Sequence, residues 1–442
     1  MRVRARSARR VARPLATAFV AAALLTLGLA PAAAPLIAPT AVADSVRDRQ
    51  YWLDDYGIRE AWQVTRGEGV VIAILDSGVD AGHPDLAGAV IGGTDVSGRG
   101  SSAGTQPLGP QGITHATMVA SLAAGRGSAP GSGVIGAAPA ASILSVSVAF
   151  GPDERSGDDQ IAEGVMWAVD NGADVISLSL TRNQVTWPES WDAAFLHAEQ
   201  NDVVVVAAAG NRGNGTEQVS APATIPGVLT VGGVDRGGRA SAGASSQGIT
   251  IGVMAPSENL VGAVPGGGHS SWQGTSGATP IVAGIVALVR AAHPELDAAG
   301  VINRIISTAR PATVTVPDPL YGYGLVDAAA AVSAEVPAVD ANPLGSIADW
   351  IVLHRRADSD GVSSSLSAPR PAIGRVLVET GFDRAGRHLG KEWLVRHVGQ
   401  RVDHDDLGLA PAKMLFELQR GVKTGVAATD DQNFGHGKSS PR

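Results

Sequence analysis

Five short runs dense in branched aliphatic residues recur between residues 70 and 234: VVIAILD (70–76), ASILSVSVA (141–149), DVISLSL (174–180), DVVVVAAAG (202–210) and GVLTVGGV (227–234). Continuous apolar runs of this length, rather than alternating ones, suit strands buried on both faces. Between the first four lie HATMVASLAAG (115–125), DDQIAEGVMWAVDNG (158–172) and ESWDAAFLHAEQN (189–201), whose apolar residues recur at helical spacing. Strand and helix in alternation imply an α/β fold, a doubly wound and mostly parallel sheet with helices on both faces. In such sheets ligands and reactive groups collect beyond the carboxyl ends of the strands.

The stretch GTSGATPIVAGIVALVRAAHP (274–294) is apolar nearly all round, so it reads as a central, buried helix. DAAGVINRIISTA (297–309) reads as an amphipathic helix outside it, and YGYGLVDAAAAVSA (321–334) as a closing segment. The main domain is expected over 44–335. EVPAVDANP then looks like a linker, and SIADWIVLHRRA (346–357) like a short amphipathic helix within 336–357. Residues 358–442 mix Arg, His, Asp and Gly without periodicity and are expected to be a weakly structured C-terminal tail.

Six arginines precede the apolar run LATAFVAAALLTLGLA, and Ala41-Val42-Ala43 offers a small-x-small cleavage site, the pattern of a signal peptide over 1–43. The apolar run is shorter than the roughly 20 residues of a membrane-spanning helix, and no C-terminal membrane helix is visible. The expected product is secreted or associated with the cell surface. Loss of six arginines moves the net charge from −8 to −14, and residues 44–342 carry 14 basic against 30 acidic side chains. Nucleic acid and anionic lipid are therefore excluded as partners of the main domain, because both need a basic footprint. With no cysteine, an exported chain must hold together by burial alone.

Three polar positions stand where such a sheet would place chemistry. Asp76 ends the first aliphatic run, His115 opens a helix, and Ser276 lies in GTSGATP at the start of the apolar helix, with separations of 39 and 161 residues. Asp, His, Ser is one of the chain orders of a catalytic triad. A serine hydroxyl needs an imidazole to take its proton, and the imidazole needs a carboxylate to fix its tautomer. A helix start also offers N–H groups to a tetrahedral oxyanion, and Asn211, just after the strand DVVVVAAAG, is a second candidate donor. The rival histidines His83, His197, His269 and His293 do not open a helix between the first two strands.

Four stretches in order, ILDSGVD, HATMVAS, AAAGN and GTSGATPIVAG, resemble the aspartate, histidine, asparagine and serine motifs of the subtilisin family of serine peptidases. The resemblance implies an endopeptidase that cleaves protein or peptide substrates through an acyl-enzyme, with Asp76, His115 and Ser276 as triad and Asn211 as oxyanion donor. It implies that Ser179, Leu180 and Thr181 line the substrate strand, Thr181 standing where the family usually has glycine, and that Ala209 and Gly210 form the opposite wall. Ala116 likewise replaces the usual glycine after the histidine. The acidic loop FGPDERSGDD is expected to border the substrate cleft and favour basic side chains.

The Arg-rich leader, the short approach to the first strand and YGYGLVDAAAAV followed by NPLGSIADW resemble the mycosins, subtilisin-like peptidases that accompany type VII secretion, so components of that machinery are expected partners. A monomer without organic cofactor is expected. The family allows a structural calcium, yet no metal ligand set is readable in the chain. The alternatives are a general secreted protease, a silent scaffold with the same fold, and an esterase, whose usual G-x-S-x-G elbow is absent.

Overall fold

The five aliphatic runs are strands of one seven-stranded parallel sheet in the computed structural model, which describes residues 45–108, 114–150 and 155–359. Strand β1 (Val71–Asp76) is flanked on one side by β3 (Ser142–Ser147) and the outer β2 (Val90–Asp95). On the other side follow β4 (Val175–Leu178), β5 (Val204–Ala208), β6 (Leu229–Val234) and β7 (Ile251–Pro256). Every residue of β4 to β6 is buried, the condition under which an uninterrupted aliphatic strand is stable. Helices α4 (His115–Ala124) and α7 (Thr275–Ala292) pack together on one face, and α5 (Gly157–Asp170) and α6 (Ser190–Gln200) on the other.

From β1 the chain crosses to the edge strand β2 and returns through β3 on one side, then adds β4 to β7 in sequence on the other, so the winding reverses between β1 and β4. Open α/β sheets bind ligands at that reversal. The register makes the edge level: Asp76 faces Ser147, Leu75 faces Leu178, and Leu178 faces Ala207. Asp76 at the end of β1, Ser179 one residue past β4 and Asn211 three residues past β5 therefore emerge at the same carboxyl edge of the sheet.

Strands β2 and β7 and the antiparallel hairpin of β8 (Leu260–Val264) and β9 (Gly268–Trp272) were not expected from the sequence. β2 carries two glycines and is half-exposed at the sheet's edge, so tertiary pairing with β3 rather than its own composition makes it a strand. The opposite edge, β7, is covered by residues 324–326, where Met254 donates to Gly324 and Val326 donates to Met254.

Past residue 335 the chain stays packed against the main body. Asn342 Nδ2 donates to Gly227 O at 3.0 Å, Ser346 Oγ donates to Glu199 at 2.7 Å, and Ile347 is 1% exposed in the core. Helix α10 (Ile347–Ser359) then stacks Trp350 on Trp187 at 4.4 Å and pairs Arg355 with Asp192 at 2.6 Å. Residues 336–355 are a docked strap, held by long-range contacts that local composition cannot encode. The expected signal peptide (1–43) and most of the expected tail (360–442) lie outside the described residues.

At the other end α1 (Ser45–Asp48), α2 (Trp52–Asp55) and α3 (Ile58–Ala61) bury Trp52, Leu53 and Ile58 completely. Arg47 donates to Ser132 O and Gly133 O, Gln50 exchanges two bonds with Ile135, and Trp62 Nε1 donates to Ala137 O at 2.8 Å. This approach segment is part of the same packed body as the sheet.

Tyr51 and Tyr56 are buried here, and desolvation by burial holds both phenols far above their ordinary value. The unfolded chain ionises them near pH 10 while the folded chain keeps them neutral. Their contribution is thus complete below about pH 10 and declines as pH rises above it. No lysine lies between residues 45 and 359, so lysine does not mask this response in the domain. Urea midpoints should fall from pH 9 to pH 11, and fall less steeply in Tyr51→Phe/Tyr56→Phe; equal slopes would refute the assignment.

Candidate active site

β1 delivers Asp76 to the carboxyl edge of the sheet with 7% of its surface exposed. One carboxylate oxygen, Oδ1, accepts from Ser77 N at 2.6 Å and Ser77 Oγ at 3.1 Å; the other, Oδ2, meets His115 Nδ1 at 2.7 Å. A carboxylate with one oxygen tied to the backbone cannot swing, so it fixes the imidazole and selects the tautomer with hydrogen on Nδ1. That leaves Nε2 as the ring's acceptor. The face of this pair is closed by Trp272 from β9, whose ring meets His115 edge-on at 5.6 Å and 85°.

Ala116, where a glycine was expected by resemblance, lies inside α4 and is fully buried. Among the described residues only Asn183, Asp202 and Asn259 have positive φ outside glycine. The alanine methyl is therefore accommodated in a helical backbone within the core.

Ser276 is the second residue of α7 and 1% exposed. Two features of the sequence set its surroundings. Gly274 before the helix has φ 137°, a conformation other residues avoid, and a Cβ there would stand 3.0 Å from Asn211 Nδ2. Pro280, inside the helix, has no N–H to give to the carbonyl four residues back, which is that of Ser276. Ser179 supplies the missing donor: its Oγ reaches Ser276 O at 2.9 Å, and Ser276 Oγ lies 3.4 Å from Ser179 O.

Asn211 is tied to the same helix start. Its Oδ1 accepts from Thr275 N at 2.8 Å and Thr275 Oγ1 at 3.0 Å. A backbone N–H can only donate, so the amide oxygen must face Thr275, and both hydrogens of Nδ2 are left for another acceptor. Ser276 N–H is among the N–H groups at a helix start that the helix itself cannot satisfy, at the positive end of its dipole.

The expected substrate-lining residues offer few donors. Ser179, Leu180 and Thr181 are almost wholly buried, and Thr181 Oγ1 turns to the backbone N–H of Asn183. Ala209 N–H is spent on Val231 O, and Gly210 N–H on Thr275 Oγ1. In the acidic loop Asp158 is held by two nitrogens of Arg182 at 2.8 Å, which pairs its charge locally; Asp153 and Glu154 lie outside the described residues.

Sequence reasoning missed Trp272, Thr275 and Ser77, which hold the principal residues rather than replace them. A cleft of about 330 Å³ near Glu199, Asp202, Ile225 and Ile347 lies under the strap and contains none of the triad candidates. The rival histidines are placed elsewhere: His197 pairs with Asp170, His293 contacts Val332 O, and His83 and His269 meet at Asp85.

Removal of the Ser179 hydroxyl leaves a buried carbonyl beside the nucleophile candidate without its donor. Ser179→Ala should lose about 1–3 kcal/mol of stability, read as a lower denaturation midpoint. Retention of full stability would show that another donor takes over Ser276 O.

Known proteins resemble this chain in both sequence and fold. Residues 67–324 match the model of the subtilase family. The chain is 36% identical over 272 residues to subtilisin E of Bacillus subtilis, a stretch covering 60% of this chain and 66% of that protein. It resembles the structure of fervidolysin from Fervidobacterium pennivorans, a keratinolytic enzyme related to subtilisin, with TM-score 0.58 and 29% identity over 66% of this chain and 48% of that one. It also resembles MycP1 from the ESX-1 type VII secretion system, with TM-score 0.56 and 31% identity over 65% of this chain and 86% of that one. The chain belongs to the subtilase family of serine-type endopeptidases, and it resembles the mycosins within that fold.

Proposed function

We propose that this protein hydrolyses peptide bonds with Ser276 as nucleophile, His115 as general base and acid, Asp76 as the group that orients His115, and Asn211 as an oxyanion donor. The observation that carries the reading is the 2.7 Å bond from His115 Nδ1 to a buried, doubly anchored Asp76 at the reversal point of the sheet. His115 Nε2 takes the hydroxyl proton as Ser276 Oγ attacks the substrate carbonyl. Negative charge develops on the carbonyl oxygen and is met by Asn211 Nδ2 and the Ser276 N–H, both held in place before reaction begins. The imidazolium, stabilised by Asp76, returns its proton to the leaving amine, and an ester to Ser276 remains. Water, activated by the same imidazole, then releases the acid and restores the serine.

The substrate is an extended protein or peptide chain lying along Ser179 to Thr181, with Ala209 and Gly210 as the facing wall. We propose further that the enzyme works outside the cytoplasm after loss of residues 1–43, alongside a type VII secretion machine. The arginine-rich leader and the likeness to MycP1 and MycP3 support this setting. No organic cofactor has a role in this chemistry.

A fluorophosphonate probe should label the wild type and fail to label Ser276→Ala or, at matched times, His115→Ala. Equal labelling of all three would end the triad assignment. Asn211→Ala should lower kcat by about 100- to 1,000-fold with little change in KM, the magnitude known for removal of one such donor in subtilisin. An unchanged kcat would move the oxyanion role away from Asn211.

A further inference from the structure

The geometry points to a second, metal-binding site in this protein: His83, Asp85 and His269 form a ligand set for a divalent transition-metal ion of the zinc type. One ligand atom from each residue lies within 4.8 Å of the others, and the three come from sequence positions up to 186 residues apart. His83 is 1% exposed and Asp85 is fully buried.

The state of Asp85 is the first argument. Its Oδ2 accepts from Val134 N at 2.7 Å and meets His269 Nε2 at 2.6 Å. Its Oδ1 is buried with no hydrogen-bond partner among the described residues. A bare carboxylate oxygen in the interior is costly, and buried charges are ordinarily paired or coordinate a metal. Gly133 lies close against this oxygen, since a Cβ there would fall 2.0 Å from Oδ1, so no larger residue fits at that position.

The tautomer of His83 is the second. The backbone N–H of Asp85 donates to His83 Nδ1 at 3.0 Å, so Nδ1 carries the lone pair and Nε2 the hydrogen. Nε2 then donates to Gly268 O at 3.0 Å. A metal-binding imidazole has this form, one nitrogen with a lone pair on the ligand side and the other donating to a backbone carbonyl that orients the ring. A cation takes that lone pair in place of the Asp85 N–H.

Donor chemistry selects the metal. Two imidazoles and one carboxylate suit zinc, nickel or copper, whereas calcium and magnesium prefer all-oxygen shells. Zinc–ligand bonds of 2.0–2.2 Å place tetrahedral ligand atoms about 3.3 Å apart, so the cluster must contract on binding. Gly266 and Gly267, at φ 88° and 95° just before His269, give the hairpin the freedom to do so. The ion would join the turn that follows Asp76 to strand β9, which leads to Ser276.

The test uses the full chain carrying Ser276→Ala, to stop self-cleavage, and His115→Ala, to remove the buried His115–Asp76 pair, which could also hold a metal. After chelator treatment, calorimetric titration with zinc chloride should give one ion per chain and raise the melting temperature. His269→Gln retains a donor toward Asp85, and it and His83→Gln should each weaken binding at least tenfold and abolish the melting shift. No saturable zinc binding in the parent, or equal affinity in His269→Gln, would overturn the proposal. Should a histidine variant not fold, cobalt(II) added to the parent decides: visible d–d absorption of tetrahedral intensity, displaced by zinc, supports the site, and a spectrum of hydrated cobalt rejects it.

Discussion

A helix buried on every side imposes the main constraint on this molecule. α7 runs eighteen residues through the interior, touching β4 to β7 on one side and α4, α8 (Ala298–Ser307) and α9 (Ala328–Ser333) elsewhere. Such a helix must be apolar all round, yet its first turn must carry a hydroxyl and N–H groups that the helix cannot satisfy. The neighbours resolve the conflict. Asn211 takes the Thr275 N–H, Ser179 serves the carbonyl that Pro280 leaves without a partner, and Gly274 adopts the conformation that permits both. The groups that keep the buried helix start satisfied are thus the groups from which the proposed chemistry is assembled.

The legible parts of the fold were those whose signal is local. β1, β3, β4, β5 and β6 are dense in Val, Ile and Leu because both faces are covered, and α7 is readable because its burial has no polar side. β2 was unreadable since VIGGTD is a strand only through its pairing with Ser142–Ser147. The strap after residue 335 was read as a linker because EVPAVDANP lacks periodicity. What holds it down is a set of partners, Gly227, Glu199, Asp192 and Trp187, drawn from more than a hundred residues away.

The site divides in the same way. Asp76, His115, Asn211 and Ser276 sit in motifs whose residue types are dictated by chemistry, so they stood out in the chain. Trp272 and Thr275 act through orientation, and nothing in QGTS or SSWQ announces that the indole will lie edge-on to His115 or that the threonine will hold an amide oxygen. In the sequence His83 and His269 stand out only as rivals to His115. Their meeting at Asp85 depends on β9 folding back over the turn after β1, a juxtaposition that exists only in three dimensions.

A chain without cysteine has to fasten its loops by means other than disulfides. Here the approach segment does part of this, with Arg47, Gln50 and Trp62 each bonding carbonyls between residues 132 and 137. Asp85 extends the same fastening one step further, since it binds Val134 N as well as His269. The turn carrying Asp85 begins where β1 ends at Asp76, and His269 precedes Trp272 by three residues. A cation on this cluster would therefore tighten, through short and mostly rigid chain, both the carboxylate that orients His115 and the indole packed against it. Structural fastening and the geometry of the general base would then depend on the same few bonds.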